Sequence, residues 1–288
     1  MEKNYDIIFT GLAQNCEDHI DKFFNIYNQV KKKFKTAAII SENNSDDYTF
    51  TKIVQNLSHD NDIFFLDTTF IEKFYDRIHR LAQARQFQKD FVIKENFKAK
   101  YLIVIDLDDV LDFKFEYEKF KSLLNFLDKE KKSYFGLSIK SKPYYYDILN
   151  FESEKFLNLN IKKLQLDKKL NTYKERKNKI YNIQKKITES EDFECISAFN
   201  GMCIYNFNDY LIGKYYNQSS LRQEYTIPEH LNMNRQIYFE TKKKIYVTDK
   251  FNFAMPLEHK PLFNPLIFFL NKFVKYLIFY LKKIKFFF

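Results

Sequence analysis

The chain has 288 residues, enough for one large domain, or one domain with appendages, and for a sizeable buried core. Four Gly and five Pro exclude collagen-like and Gly/Pro-rich disordered classes, and three Cys (Cys16, Cys195, Cys203) stand at spacings that form neither a zinc pattern nor a disulfide framework. A net charge of +9 points to anionic partners, although the excess of Phe and Tyr beside Lys, Asn and Ile reflects AT-rich coding rather than base stacking.

Met1-Glu2-Lys3-Asn4 runs into a first strand over 5–12 without the layout of a signal peptide, which predicts a chain that starts in the cytoplasm. A helix follows over 17–34, with apolar residues at Ile20, Phe23, Phe24, Tyr27 and Val30. A second strand over 36–40 opens into the polar loop 41–47. A short helix over 50–57, a strand over 62–66 and a long helix over 71–96 lead to a strand over 101–105. That last run, Tyr101 to Ile105, is apolar throughout, as a strand covered on both faces should be. Further strands are expected over 134–138, 201–205 and 244–247. Strands alternating with helices predict an α/β domain over 1–258, built on a mostly parallel central sheet flanked by helices.

Two segments differ in kind. Residues 152–191 are charge-rich, nearly free of Gly and Pro, and apolar at helical intervals, which predicts a helical insertion with a solvated face. The tail, 259–288, carries Lys272, Lys275, Lys282, Lys283 and Lys285 within an arc of roughly 160° on a helix, the rest being apolar or aromatic. It has no uncharged stretch of about 18 residues, so an amphipathic helix lying on an anionic membrane surface is expected rather than a spanning one. The competing expectation is a terminal helix docked on the protein's own core.

Four constellations could carry chemistry. Asp106, Asp108 and Asp109 follow the buried strand, where open α/β sheets bind ligands, and clustered carboxylates repel one another unless a cation or proton offsets them. A hard divalent ion bridging phosphates is the simplest remedy. Glu42, at the end of the second strand, stands where a carboxylate can reach a ribose or base. Arg77 and Arg85 share one helix face with Leu81 and Ala84, flanked by Arg80, and the guanidinium fork suits diphosphates. In the last group, Asn200-Gly201 suggests a turn, and Glu229-His230 is expected in a polar loop after Pro228. His230 is a candidate nitrogen ligand for the cation, and Glu224 or Glu229 a candidate base or orienter of an acceptor hydroxyl.

These pieces, in this order, resemble a GT-A-type glycosyltransferase, and in particular the capsule-associated mannosyltransferase family known from fungi and its bacterial relatives. The matching residues are Glu42-Asn43-Asn44-Ser45 with Asp47 and Thr49, Arg77 with Arg80-Leu81-Ala82 and Arg85, and Asp106-Leu107-Asp108-Asp109. Tyr145-Tyr146-Asp147-Ile148, Phe199-Asn200-Gly201 and Glu229-His230 complete the set. The resemblance implies a nucleotide-sugar donor and Mn²⁺ or Mg²⁺ held by the Asp-x-Asp carboxylates, with Asp108 the principal ligand and Asp106 between ribose and cation. It further implies that Glu42 and Arg85 hold the nucleoside, and that Asp147 and Asn200 line the donor sugar or acceptor. The expected activity is sugar transfer in bacterial surface glycan synthesis (capsule or lipopolysaccharide/lipooligosaccharide), on the inner face of the cell membrane, onto a saccharide or lipid-linked saccharide. A phospho- or nucleotidyltransferase on a similar scaffold is the alternative. A basic RNA-binding protein using 152–191 explains none of the acidic strand end, so no nucleic-acid partner is expected.

Overall fold

Apolar runs covered on both faces become the strands of one sheet, and the helices between them supply the cover. The computed structural model describes residues 2–74, 76–156, 180–215 and 227–256. Its first half alternates β1 (Ile7–Ala13), α1 (Glu17–Lys31), β2 (Thr36–Glu42), α2 (Thr49–Leu57), β3 (Ile63–Asp67), α3 (Arg77–Lys94) and β4 (Tyr101–Ile105). The second half contains α4 (Tyr117–Lys129), β5 (Tyr134–Lys142), α5 (Asn182–Glu189) and β6 (Phe193–Cys195). It ends with β7 (Met202–Asn206), α6 (Phe207–Tyr210), α7 (Glu229–Thr241) and β8 (Lys244–Ala254).

The eight strands lie in the order β3-β2-β1-β4-β7-β5-β8-β6. Pairings from β3 through to β4 are all parallel. Beyond β4 the sheet is mixed: β7 runs antiparallel to both β4 and β5, β8 is parallel to β5, and β6 closes the edge antiparallel to β8. Alternation along β2 shows why both faces are buried. Ala38 and Ile40 join the core on one face with Phe23 of α1 and Leu124 of α4, while Ala37 and Ile39 join the core on the other with Val92 of α3 and Met233 of α7.

Helix α3 starts later than expected. A 3₁₀ turn, Thr69–Lys73, comes first, Phe74 is extended, and Asp76 caps α3 by accepting from the backbone N–H of His79 at 3.0 Å. The inner face of α3 is unusually polar. Gln86 accepts from the N–H of Tyr215 at 3.0 Å, Gln88 donates to the carbonyls of Gly11 (2.7 Å) and Ile39 (3.2 Å), and the Lys89 ammonium donates to those of Tyr210 (2.7 Å) and Gly213. Residues 229–230, expected in a loop after Pro228, instead open α7.

Of the 152–191 insertion, the structure places the 3₁₀ turn Glu154–Phe156 and helix α5. Its middle, 157–179, and the tail helix expected over 259–288 lie outside the described residues. Among the described residues no helix is long and apolar enough to cross a membrane.

Candidate active site

The carboxyl ends of β1, β2 and β4 open into one cleft of about 720 Å³, roofed by the N-terminal half of α3. Asp106 is the first residue beyond β4, and its backbone N–H donates to Gly201 at 2.8 Å. Asp108 caps the 3₁₀ turn Asp109–Leu111 by accepting from Val110 at 3.0 Å. Leu107 between them is buried against Gly11, where an added Cβ would come within 2.8 Å of its side chain. Both Asp106 and Asp108 contribute to the cleft lining.

Arg85 is 3% exposed and donates through Nη2 to Asp106 Oδ1 at 2.8 Å, while its Nε lies 3.6 Å from Glu229 Oε1. Its guanidinium also sits 5.3 Å from the centre of the Phe199 ring. Burial works against the charge, but the carboxylates of Asp106 and Glu229 outweigh it and hold the Arg85 pKa above its ordinary value. Burial raises the Glu229 carboxyl above the usual carboxylate range, with Arg85 opposing the shift. The guanidinium thus fixes one oxygen of Asp106 from behind, and the Tyr146 hydroxyl approaches the other at 3.4 Å.

Asn200 acts one layer further out. Its Oδ1 accepts from the N–H groups of Tyr146 (3.0 Å) and Asp147 (3.2 Å), and its Nδ2 donates to Ile139 at 3.0 Å. The turn that carries Asp147 into the cleft is therefore set by a fully buried amide. Asp147 Oδ2 accepts from Asn150 Nδ2 at 2.8 Å, and Asn150 Oδ1 accepts from the first turn of α7, Leu231 N–H, at 3.1 Å.

Seven expected residues, Arg77, Arg80, Arg85, Asp106, Asp108, Asp147 and Glu229, meet around this cleft. Three do not line it. Glu42 falls on the opposite face of the sheet from Ser41 and Asn43, because successive strand residues alternate, and its carboxylate accepts from Ser45 N–H at 2.6 Å. It shapes the loop after β2, while Ser41 and Asn43 face the cleft; that alternation was present in the sequence and would have identified them. Asn200 positions others, as described. His230, expected as a metal ligand, is fully buried in α7, stacked on Phe199 at 3.7 Å and edge-on to Tyr215 at 5.3 Å. Burial, aided by Arg85, pushes its pKa well below the ordinary value, so the ring is neutral, and it takes no part in the cleft wall. Glu224 lies outside the described residues. Sequence reasoning also passed over Gln184 of α5, which lines the cleft from within the charged insertion.

No family model matches the chain, and no curated protein matches it. Solved structures do resemble it. The mannosyltransferase PcManGT from Pyrobaculum calidifontis, in complex with GDP-Man and Mn²⁺, is 9% identical with a TM-score of 0.52, over 88% of this chain and 57% of that one. TarS 1–349 from S. aureus is 14% identical with a TM-score of 0.47, over 87% and 60%. Glucosyl-3-phosphoglycerate synthase from Mycobacterium tuberculosis, with Mn²⁺, UDP and glucosyl-3-phosphoglycerate, is 8% identical with a TM-score of 0.47, over 91% and 74%. The chain thus spans less than two thirds of the length of the first two, 57% and 60%. Its architecture is that of the GT-A glycosyltransferase fold.

Proposed function

We propose that the chain is a glycosyltransferase that moves a sugar from a nucleotide-sugar donor to a saccharide acceptor with Mn²⁺ or Mg²⁺. The observation that carries this reading is Asp106 and Asp108 at the end of β4, in one cleft with Arg77, Arg80 and the buried Arg85. Among the described residues no group of three or more His, Cys, Asp or Glu forms a metal cage by itself. Two half-buried carboxylates instead suit a cation that completes its shell with waters and phosphate oxygens, the habit of Mg²⁺ and Mn²⁺. Such a cation offsets the charge that grows on a diphosphate leaving group.

Arg85 holds Asp106 in orientation, and Arg77 and Arg80 offer guanidinium groups to the donor diphosphate. Asp147 and Glu229 are the described candidates for accepting the acceptor's proton, with Glu224 a third outside the described residues. Burial lifts the proton affinity of Glu229 in the direction a base at neutral pH needs. The lysines of the 259–288 tail support a place at the anionic inner face of the cell membrane, on a saccharide or lipid-linked acceptor of surface glycan synthesis.

A panel of nucleotide sugars, each with and without Mn²⁺, tests this reading. Release of nucleoside diphosphate from one donor class, abolished reversibly by EDTA, is the expected result. Release of monophosphate or pyrophosphate would make the chain a phospho- or nucleotidyltransferase, and full turnover in a metal-free preparation would end the metal-dependent reading. Asp108→Asn removes charge at nearly constant volume and is expected to lower turnover on the order of 100-fold with the thermal midpoint nearly unchanged.

A further inference from the structure

The two ends of the cleft differ in chemistry. The sheet order places β1 and β2 on one side of β4 and β7 and β5 on the other. Among the described residues the three cleft arginines all come from α3, which roofs the β1–β2 side. Facing them across Asp106 and Asp108 is a wall made by the turn after β5 and by α5 with the residues leading into it. Among the described residues this wall contributes the carboxylate of Asp147, the apolar Ile148 and Leu149, the Tyr181 ring and the Gln184 amide.

Gln184 is the informative member. It is 4% exposed, and its Nε2 donates to the carbonyl of Tyr146 at 2.9 Å, which fixes which way the amide faces. That leaves Oε1 as an acceptor, buried and with no hydrogen-bond partner among the described residues. A buried amide oxygen without a donor is costly, and a hydroxyl is the group that satisfies it, whereas a phosphate or carboxylate oxygen offers only more acceptors. Anions entering here would also meet the carboxylate of Asp147 at low dielectric. Apolar and aromatic side chains beside these groups suit the C–H face of a sugar ring.

Building on the glycosyltransferase reading, we propose that this half of the cleft takes a neutral, hydroxyl-bearing glycoside as acceptor, and that Gln184 Oε1 accepts a hydrogen bond from one of its hydroxyls as a specificity-determining contact. The segment 152–191 thereby contributes to acceptor choice through α5.

The full-length chain, supplied with the donor that the nucleotide-sugar panel selects, is offered neutral octyl hexosides beside the matching hexoside 6-phosphates and uronides. The neutral set is expected to show kcat/KM at least about tenfold higher, because the anionic sets bring negative charge against the Asp147 carboxylate. Equal or better use of the phosphorylated or uronide acceptors overturns the inference, as does failure of every neutral hexoside while nucleotide still binds. In Gln184→Leu the acceptor KM is expected to rise about tenfold, against nucleoside diphosphate affinity measured by calorimetry as the control for folding. An unchanged acceptor KM removes Gln184 from the site. If the variant loses its fold, the wild-type panel still decides. Absence of nucleoside diphosphate binding to the wild type overturns the glycosyltransferase reading itself, whereas intact binding with anionic preference overturns only the acceptor class.

Discussion

Lys89 shows how one buried side chain sets a pH dependence. It is 2% exposed, donates to two backbone carbonyls, and burial lowers its pKa to about 7, with Lys214 adding to the shift and Asp90 opposing it. The unfolded chain binds this proton up to a higher pH than the folded one, so stability rises with pH between about 7 and the ordinary lysine value near 10.4. In Lys89→Met that contribution is absent. The difference in unfolding free energy between wild type and variant, followed by urea titration from pH 6 to pH 10, should grow in favour of the wild type by on the order of 2–4 kcal/mol. A pH-independent difference would show that the amine is solvated. Of the site residues, those at the end of β4 and on α3 were legible because strand ends and helix faces follow fixed periods. Glu42 misled because the carboxylate was weighed for its chemistry and not for the strand face it occupies. His230 misled for a related reason: beside Glu229 in a polar stretch it reads as solvent-facing, yet the ring is enclosed by Phe199 and Tyr215.

At the scale of elements, the turn before β7 ties the two sides of the cleft together. Gly201 has φ of +83°, and a Cβ there would lie 2.8 Å from both the Tyr146 hydroxyl and Val110 Cγ1. Gly201→Ala is therefore expected to cost about 1–3 kcal/mol and to displace Tyr146 from Asp106. A thermal midpoint equal to that of the wild type would show that the turn relaxes without strain. The same turn explains why β7 begins at Met202, one residue later than the sequence suggested. Strands and helices of the first half were readable because each strand holds at least three consecutive apolar residues and α1 carries a clear apolar stripe. Helix α7 was hidden because polar residues interrupt its buried face: Asn234 is fully buried between the Tyr205 hydroxyl and Ser197, beside Met233 and Ile237. Strand β6 has only three residues, too few to show any period, and α4 was passed over despite regular apolar positions at Phe120, Leu123, Leu124 and Leu127.

For the whole molecule, the charge asymmetry concentrated in the tail is the property most open to test. Truncation before Leu262 is expected to release the protein from anionic vesicles while leaving transfer to a soluble acceptor in place. Each lysine near such a surface contributes about 1 kcal/mol, an attraction that weakens with salt. Co-sedimentation at low and high salt separates this from docking on the core; aggregation of the truncated chain, with no vesicle binding by the intact one, would refute the membrane assignment. Helix α3 has a different kind of reach. Its side chains grip Gly11 and Ile39 on the parallel side of the sheet, Asp106 at the end of β4, and Tyr210, Gly213 and Tyr215 beyond β7. Apolar helix contacts tolerate a small slide, because one methyl group can replace another. Directional bonds to fixed carbonyls do not, so a shift of α3 along its axis breaks them together. Mechanically the helix is a fixed jaw, and any closing motion on a substrate belongs to the wall that faces it. Hydrogen exchange carried out with and without nucleoside diphosphate should leave the protection of α3 amides near the global limit in both states, with the ligand-dependent change falling across the cleft in 146–150 and α5.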